Sequence, residues 1–196
     1  MFNKLVAIAT GRNTVRSLIA ALIFIAAMNI GATAFFQFTN GVGILDTGGG
    51  ANLLDNRTSG YSPESAYEMI SAYGSQGIRY HLMLNTADVF FPPTLAFFLL
   101  LAIVYFYASF FKTYPLTRWL VTLPIAYLAS DYLENIGIVT MLLGFPAFLP
   151  GMARLANFMF TVKNISSNAA IFVIVIGLVL RAMRLTREME AQHRIA

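Results

Sequence analysis

The sequence contains no cysteine and has few charged side chains. The lack of cysteine excludes disulfide bonds, thiolate metal sites, thiol redox chemistry and cysteine nucleophiles. Charged residues make up only 11% of the 196 residues, hydrophobic residues make up 58%, and the mean hydropathy is positive. Soluble single domains are less apolar than this, so the composition predicts one compact membrane domain over residues 1–196.

The basic residues indicate membrane topology rather than nucleic-acid binding. The net charge is +4, but lysines and arginines lie at the ends of apolar runs, and no basic stripe alternates with aromatic side chains in a polar segment. One side of the predicted membrane carries Lys4, Arg12, Arg16, Lys112, Arg118, Arg181, Arg184, Arg187 and Arg194, and the other carries Arg57, Arg79 and Arg154. Because cytoplasmic loops are enriched in Lys and Arg, we expect both termini in the cytoplasm of a bacterial-type inner membrane, and no nucleic-acid partner.

Four apolar runs are long enough to cross a hydrocarbon layer of about 30 Å. They cover approximately residues 17–38, 82–111, 116–143 and 155–180. The sequence therefore predicts an all-α integral membrane protein, a bundle of four transmembrane helices. A long outer loop, residues 39–79, joins the first two helices, and residues 181–196 form a cytoplasmic tail.

The outer loop contains a predicted amphipathic helix. It begins after a flexible tract that includes Gly48-Gly49-Gly50, and the order Ser62, Pro63, Glu64 is typical of a helix start. Apolar side chains then recur at helical spacing at Ala66, Met69, Ile70 and Tyr73. Gly74 can end this helix in a left-handed conformation. We expect the helix to lie on the outer membrane surface or to cover the mouth of the bundle, as a lid or as a packing segment.

Asp131, Glu134 and Asn135 lie within a run of otherwise apolar residues, 119–143. Their spacing of i, i+3 and i+4 places the three side chains on one face of a helix. A carboxylate at the centre of a membrane costs about 2.5–3.5 kcal/mol on insertion scales, so such residues are usually functional and have partners on neighbouring helices. This group is the centre of the predicted site.

Polar residues on all four predicted helices lie at similar depth. A helix rises about 1.5 Å per residue, so Asp131 lies roughly 20 Å from the level of Arg118, and Asn168 roughly 20 Å from that of Arg181. The other residues of this layer and its outer edge are Asn29, Arg79, His81, Asn85, Asp88, Lys163 and Asn164. The inner halves of the helices are apolar, so the polar wall stops near mid-membrane. The pattern predicts a cup that opens outward.

Two consecutive prolines interrupt the second predicted helix. Pro92 and Pro93 lack the amide hydrogens that would bond to the carbonyls of Asp88 and Val89. A kink with exposed carbonyls is therefore expected beside the Asp88 carboxylate. Irregular backbone at this depth is tolerated where it lines a cavity or is buried in protein.

The predicted layer has more carboxylates than cations. Asp88, Asp131 and Glu134 face a single deep cation, Lys163, and full ionisation would leave excess negative charge in a medium of low dielectric. Three arrangements would reduce this excess of negative charge. One or more carboxylic acids could stay protonated, Arg79, Arg154 or His81 could fold inward, or a cation could bind among the three carboxylates. A ligand set for a metal is not predicted, because no His-x-x-x-His or Glu-x-x-His spacing is present.

Two short segments resemble membrane protein families. The stretch Asp131-Tyr-Leu-Glu134-Asn135-Ile136 resembles an Asn-Asp-Leu-Glu-Asn stretch of the membrane glutathione transferases, a four-helix family whose glutathione-binding basic residues have no counterpart here. The acidic residue followed by Phe-Phe-Pro, after a long outer loop, is similar to the four-helix sterol-binding sigma-2 type family. Both resemblances imply a four-helix membrane fold, and neither assigns a functional residue.

The leading hypothesis is an integral membrane enzyme or receptor that takes an amphipathic, lipid-like molecule from the membrane into the cup. In an enzyme, Asp131 and Glu134 would act as general acid and base, and Asp88 would be a further carboxylate or a cation ligand. The residues expected to contact the substrate are Asn135, Lys163, Asn164, Asn168, His81, Asn85, Arg79 and Asn29. The pattern identifies no cofactor. The alternatives are a proton- or cation-coupled carrier acting as a homo-oligomer, and a structural or assembly subunit of a membrane complex.

Overall fold

The computed structural model describes residues 14–38, 53–54, 60–108, 110–113 and 115–193, and the regular structure within them is helical. The helices are α1 (Thr14–Phe38), α2 (Pro63–Asp88), α3 (Phe91–Tyr107), α4 (Phe110–Thr113), a 3₁₀ helix (Pro115–Val121), α5 (Thr122–Gly144) and α6 (Pro150–His193). The all-helical class predicted from the sequence is confirmed for these residues. The glycine tract at 48–50 lies outside them.

Within the described residues, three helical segments are long and apolar enough to span a membrane: Thr14–Gly31 of α1, Pro63–Tyr107, which covers α2 and α3, and Pro150–Arg184 of α6. Helix α5 is not among these segments, and Asp131, Glu134 and Asn135 interrupt its apolar sequence. Apolar side chains that face outward include Ile19, Ile23, Phe97, Ile136, Phe172 and Val179. In water these surfaces would be unfavourable, so the fold is consistent with a membrane protein.

The start of α2 follows the sequence prediction. The Ser62 hydroxyl accepts a hydrogen bond from the Ser65 amide at 3.1 Å, Pro63 occupies the first turn, and Glu64 supplies the acidic residue there. Gly74 has φ 61° and ψ −178°, a backbone conformation that is almost confined to glycine. Gly74 therefore ends the first helical segment of α2, and a second segment continues across a kink to Asp88.

The apolar face of α2 packs against α5 and α6. Ala66, Ile70 and Tyr73 are buried together with Ile138 of α5 and Ala156 of α6. The polar side chains of the same helix, such as Glu68, are exposed. The first half of α2 therefore covers one end of the α5–α6 pair, with its polar face turned away.

A second apolar cluster joins α3, α5 and α6. Leu99, Ile103 and Val104 of α3 are almost fully buried with Tyr127 of α5 and Ala170 of α6. Helix α1 packs against α3, but most of its described side chains are exposed. The body of the fold is therefore formed by α2, α3, α5 and α6.

The helices begin and end at residues that differ from the bounds of the predicted spans. Pro92 and Pro93 break the second predicted span, so that α2 ends at Asp88 and α3 begins at Phe91. The third span is preceded by the 3₁₀ helix. The fourth is longer at both ends because Pro150 starts the helix and the Arg-, Met- and Glu-rich segment after residue 180 favours its continuation.

Replacement of Gly74 tests the kink in α2. Gly74→Ala should lower the free energy of unfolding by about 1–3 kcal/mol, because alanine is strained in this backbone conformation. Steric contact is not the reason, since a Cβ at Gly74 would have no other atom within 4 Å. The free energy can be measured by chemical unfolding in mixed detergent micelles.

The matched control is Gly31→Ala in α1, which also has open space around the added Cβ but carries no positive φ. It should leave stability unchanged or raise it by up to about 1 kcal/mol. Equal stability of the two variants would contradict the proposed strain.

Candidate functional site

Two carboxylates on α5 share one cation on α6. Lys163 Nζ lies 3.4 Å from Asp131 Oδ1 and 2.5 Å from Glu134 Oε2. Asp131 is 5% exposed and Glu134 is 0% exposed, and 17% of the Lys163 side chain is exposed. One turn of helix separates the two acids, so a single long side chain can reach both. We call Asp131, Glu134 and Lys163 the charge cluster.

Small residues bring α5 and α6 close enough for this contact. A Cβ on Gly137 would lie only 2.9 Å from Ala156 Cβ and 3.3 Å from the Met152 carbonyl oxygen. Gly137 is one turn beyond Glu134, and Ala156 is completely buried. Close approach at small residues is a common mode of helix packing in membranes. It sets the spacing across which Lys163 bridges the helices.

Neighbouring polar groups on α5 extend the charge cluster. The Asn135 amide donates a hydrogen bond to Asp131 Oδ2 at 3.3 Å. Tyr127 is 4% exposed and has Asp131, Asp88 and Glu134 within electrostatic range. Asp88, half-buried at the end of α2, therefore belongs to the same region as the two acids of α5.

The proline break is stabilised by a tyrosine that the sequence analysis did not select. The Tyr132 hydroxyl donates a hydrogen bond at 3.0 Å to the carbonyl of Val89, one of the two carbonyls expected to lose their helical partners at Pro92 and Pro93. This bond ties α5 to the turn directly after Asp88. The sequence places Tyr132 directly after Asp131. It does not show how α2 packs against α5, and that packing determines the hydrogen-bond partner of Tyr132.

The other predicted residues of α2 lie along its second half. His81 is fully buried, and its ring contacts that of Tyr73 edge-on at 5.6 Å between centroids. Asn85 is buried and donates to the His81 carbonyl of its own helix at 3.1 Å. Arg79 is exposed. Of these three, His81 and Asn85 share the buried face and Arg79 does not.

The remaining amides bond mainly to their own helices. Asn168 is exposed and donates to the Asn164 carbonyl at 2.8 Å, and Asn29 is exposed and donates to the Ile25 carbonyl at 2.9 Å. Half-buried Asn164 lies one residue from Lys163. Polar side chains in an apolar helix commonly donate in this way to a backbone carbonyl of the preceding turn. The structure therefore does not bring Asn29 and Asn168 into the charge cluster.

The charge cluster has unequal numbers of charges. Two carboxylates and one ammonium give a net charge of −1 when all three are ionised. Burial of such a group is favourable only when the geometry is good and further hydrogen bonds are present. The same three groups can exchange a proton or take a second cation, which are the elementary steps of acid–base chemistry and of cation binding.

No three His, Asp or Glu side chains in the described ranges lie close enough together to hold a metal ion. The cation between Asp131 and Glu134 is the ammonium of Lys163. An apolar cavity lies elsewhere, where α2 meets the turn between α5 and α6, and no carboxylate lines it. An outward-opening cup at the carboxylates stays a prediction.

No protein family model matches the chain, and neither curated proteins nor solved structures show significant similarity to it. A functional assignment therefore depends on the geometry of the described residues.

Removal of the shared cation tests the energetics of the charge cluster. Lys163→Met should lower the free energy of unfolding by about 3–5 kcal/mol, because it leaves two buried carboxylates without their ammonium. Unfolding in mixed micelles near neutral pH gives this value.

The matched control is the double variant Glu134→Gln with Lys163→Met. Since both partners of the closest ion pair are then neutral, the double variant should be more stable than Lys163→Met alone. A double variant that loses the sum of the two single effects would show that the pair is not coupled.

Proposed function

We propose that the protein is a four-span integral membrane enzyme or receptor that binds an amphipathic, lipid-like molecule at the charge cluster. The observation that carries this proposal is the burial of two carboxylates against one ammonium in the middle of an otherwise apolar helix. Ionisable groups at such positions are usually functional, since they are expensive to keep there.

The fourth span in this proposal is α5. Its 23 residues correspond to a length of about 35 Å, sufficient for a hydrocarbon layer of about 30 Å. Helix α5 packs along α6, so its two acids face protein and not lipid. Arg181, Arg184 and Arg187, in the last part of α6, favour a cytoplasmic C-terminus under the positive-inside rule.

The net charge of the charge cluster determines which ligand head group is complementary to it. The cluster carries net negative charge, and Asp88 adds to it from α2. A cationic or hydrogen-bond-donating head group is therefore complementary, and an anionic one is not. The apolar surfaces of α5 and α6 around the cluster suit the rest of an amphipathic molecule.

Each residue has a role that follows from its position. Glu134 is the acid or base in an enzyme, because it is the most buried carboxylate and is adjacent to the ammonium. Asp131 is held by Asn135 and by Lys163, so it is the electrostatic partner. Lys163 releases one carboxylate when the ligand binds.

Binding of a simple amphiphile tests the proposal. Dodecylamine and dodecanol share one chain and differ in head group, so the comparison isolates charge. With protein in lipid nanodiscs, a hundredfold excess of dodecylamine over its Kd should stabilise the native state by about 2.7 kcal/mol, and dodecanol should stabilise it less. The shift is measured as the change in thermal midpoint.

Two Glu→Gln variants distinguish binding at the charge cluster from nonspecific binding at the membrane surface. Glu134→Gln should abolish the difference between amine and alcohol, whereas Glu68→Gln, at an exposed position of α2, should retain it. An undiminished preference for the amine in Glu134→Gln would contradict the proposed site.

A structural role is the second candidate, and the Lys163 bridge favours it. An ion pair that joins two helices beside a close glycine–alanine contact can serve as a lock for helix packing. In that case Asp131→Asn and Lys163→Met lower stability, and wild-type protein shows no preference for the amine.

A further inference from the structure

Exposed arginines lie where the apolar part of α6 ends. Arg181 and Arg184 are one turn apart on this helix, and both side chains are exposed. Directly before them, α6 exposes Leu178, Val179 and Leu180. A change from exposed apolar to exposed basic side chains along one helix is typical of the boundary between the hydrocarbon layer and the lipid head groups.

An aromatic ring of α3 fixes the position of Arg181. The guanidinium carbon lies over the Tyr105 ring, 4.2 Å from its centre, within the range of a cation–π contact. Helices α3 and α6 approach closely one turn earlier, since a Cβ on Gly177 would lie only 2.7 Å from Tyr107 Cε2. The Tyr107 hydroxyl also donates to the Val173 carbonyl at 2.9 Å. Arg181 is therefore held in place although its side chain is exposed.

A guanidinium that lies over a ring can still bind an anion. Arginine has five N–H donors, and a cation–π contact does not require any of them. They can therefore bond to the oxygen atoms of a phosphate, which arginine often binds through two parallel hydrogen bonds. We call Tyr105, Arg181 and Arg184 the basic patch.

Another arginine and a tryptophan lie at the same end of the fold. Arg118 Nε donates to the carbonyl of Phe111, just after α3, at 3.4 Å, and the Phe111 ring stacks on that of Tyr107. Trp119, next to Arg118, is 70% exposed. Tryptophan is enriched at the level of the head groups, so this end of the fold is suited to a membrane interface.

Carboxylates are found at other levels of the fold. Among the side chains that the structure describes, the acids outside the charge cluster are Glu64, Glu68 and Asp88 of α2. The next acid along α6 is Glu188, seven residues and about 10 Å beyond Arg181. Within the described side chains, the basic patch therefore has no adjacent carboxylate, and its charge is complementary to an anion.

We infer that the basic patch binds the phosphate of an anionic phospholipid, with the Arg181 guanidinium as the main contact. The acyl chains lie along Val179 and Leu180, and Arg184 adds to the attraction. Each basic side chain near a membrane surface raises the affinity for anionic lipid about fivefold. The inference goes beyond the proposed function, because it requires no ligand at the charge cluster.

Fluorescence quenching at a single label tests the inference. Because the chain has no cysteine, Met183→Cys, at an exposed position two residues after Arg181, can be labelled specifically with bimane. The labelled protein is reconstituted in phosphatidylcholine vesicles that contain increasing amounts of nitroxide-labelled phosphatidylglycerol or nitroxide-labelled phosphatidylcholine. Half-maximal quenching should require about fivefold less of the phosphatidylglycerol, or less still. Equal quenching by the two lipids would overturn the inference.

The matched control is a bimane label on Met152→Cys, which is also exposed and lies at the other end of α6. Glu64 and Glu68 are exposed at that end together with Arg154, so the two lipids should quench this label alike. A preference for phosphatidylglycerol of the same size at both labels would indicate general attraction to the membrane surface and would also overturn the inference.

Two variants of the protein labelled at Met183→Cys test the contact itself. Arg181→Gln should lower the preference for phosphatidylglycerol about fivefold. Tyr105→Leu keeps the net charge but removes the ring beneath Arg181, and it should lower the preference as well. An unchanged preference in either variant would contradict binding at the basic patch. Glu134→Gln should keep the wild-type preference, so failure of the proposed function and failure of this inference give different results.

Discussion

The contact of Lys163 with Asp131 and Glu134 is the constraint on which the arrangement of α5 and α6 depends. In an apolar environment neither carboxylate can remain ionised without a nearby cation. The close contact of Gly137 with Ala156 sets the separation of the two helices at which one lysine reaches both acids. Charge neutralisation and helix packing therefore depend on each other, and a change in either one affects the other.

The turn between α2 and α3 shows a similar dependence. The prolines after Asp88 deprive two carbonyls of their helical partners, and the Tyr132 hydroxyl of α5 bonds to one of them. Asp88 is thereby held in the region of Tyr127 and the charge cluster. The irregular segment of the fold and its buried acids occupy one region, which is where sites for ligands form in membrane proteins.

Sequence spacing predicted the helical faces but not the contacts between helices. The shared face of Asp131 and Glu134, and the depth of Lys163, follow from the helical repeat and the rise per residue. The repeat does not fix how each helix is rotated toward its neighbours, so it could not show that Asn29 and Asn168 bond to their own helices. It predicted the interruption of the helix at Gly74, but not that a second helical segment begins directly after it and continues to Asp88. The apolar cavity beside the turn between α5 and α6 was not predicted, since α2, α5, α6 and that turn all contribute residues to it.

The central claim is that the Lys163 ammonium lies between the two carboxylates of α5 in the membrane. Solid-state NMR of protein in lipid bilayers can measure the dipolar coupling between ¹⁵N at Lys163 Nζ and ¹³C at the side-chain carboxyl carbon of Glu134. The account predicts a measurable through-space coupling, because Nζ lies 2.5 Å from Oε2 and the carboxyl carbon is bonded to that oxygen. No measurable coupling would contradict it.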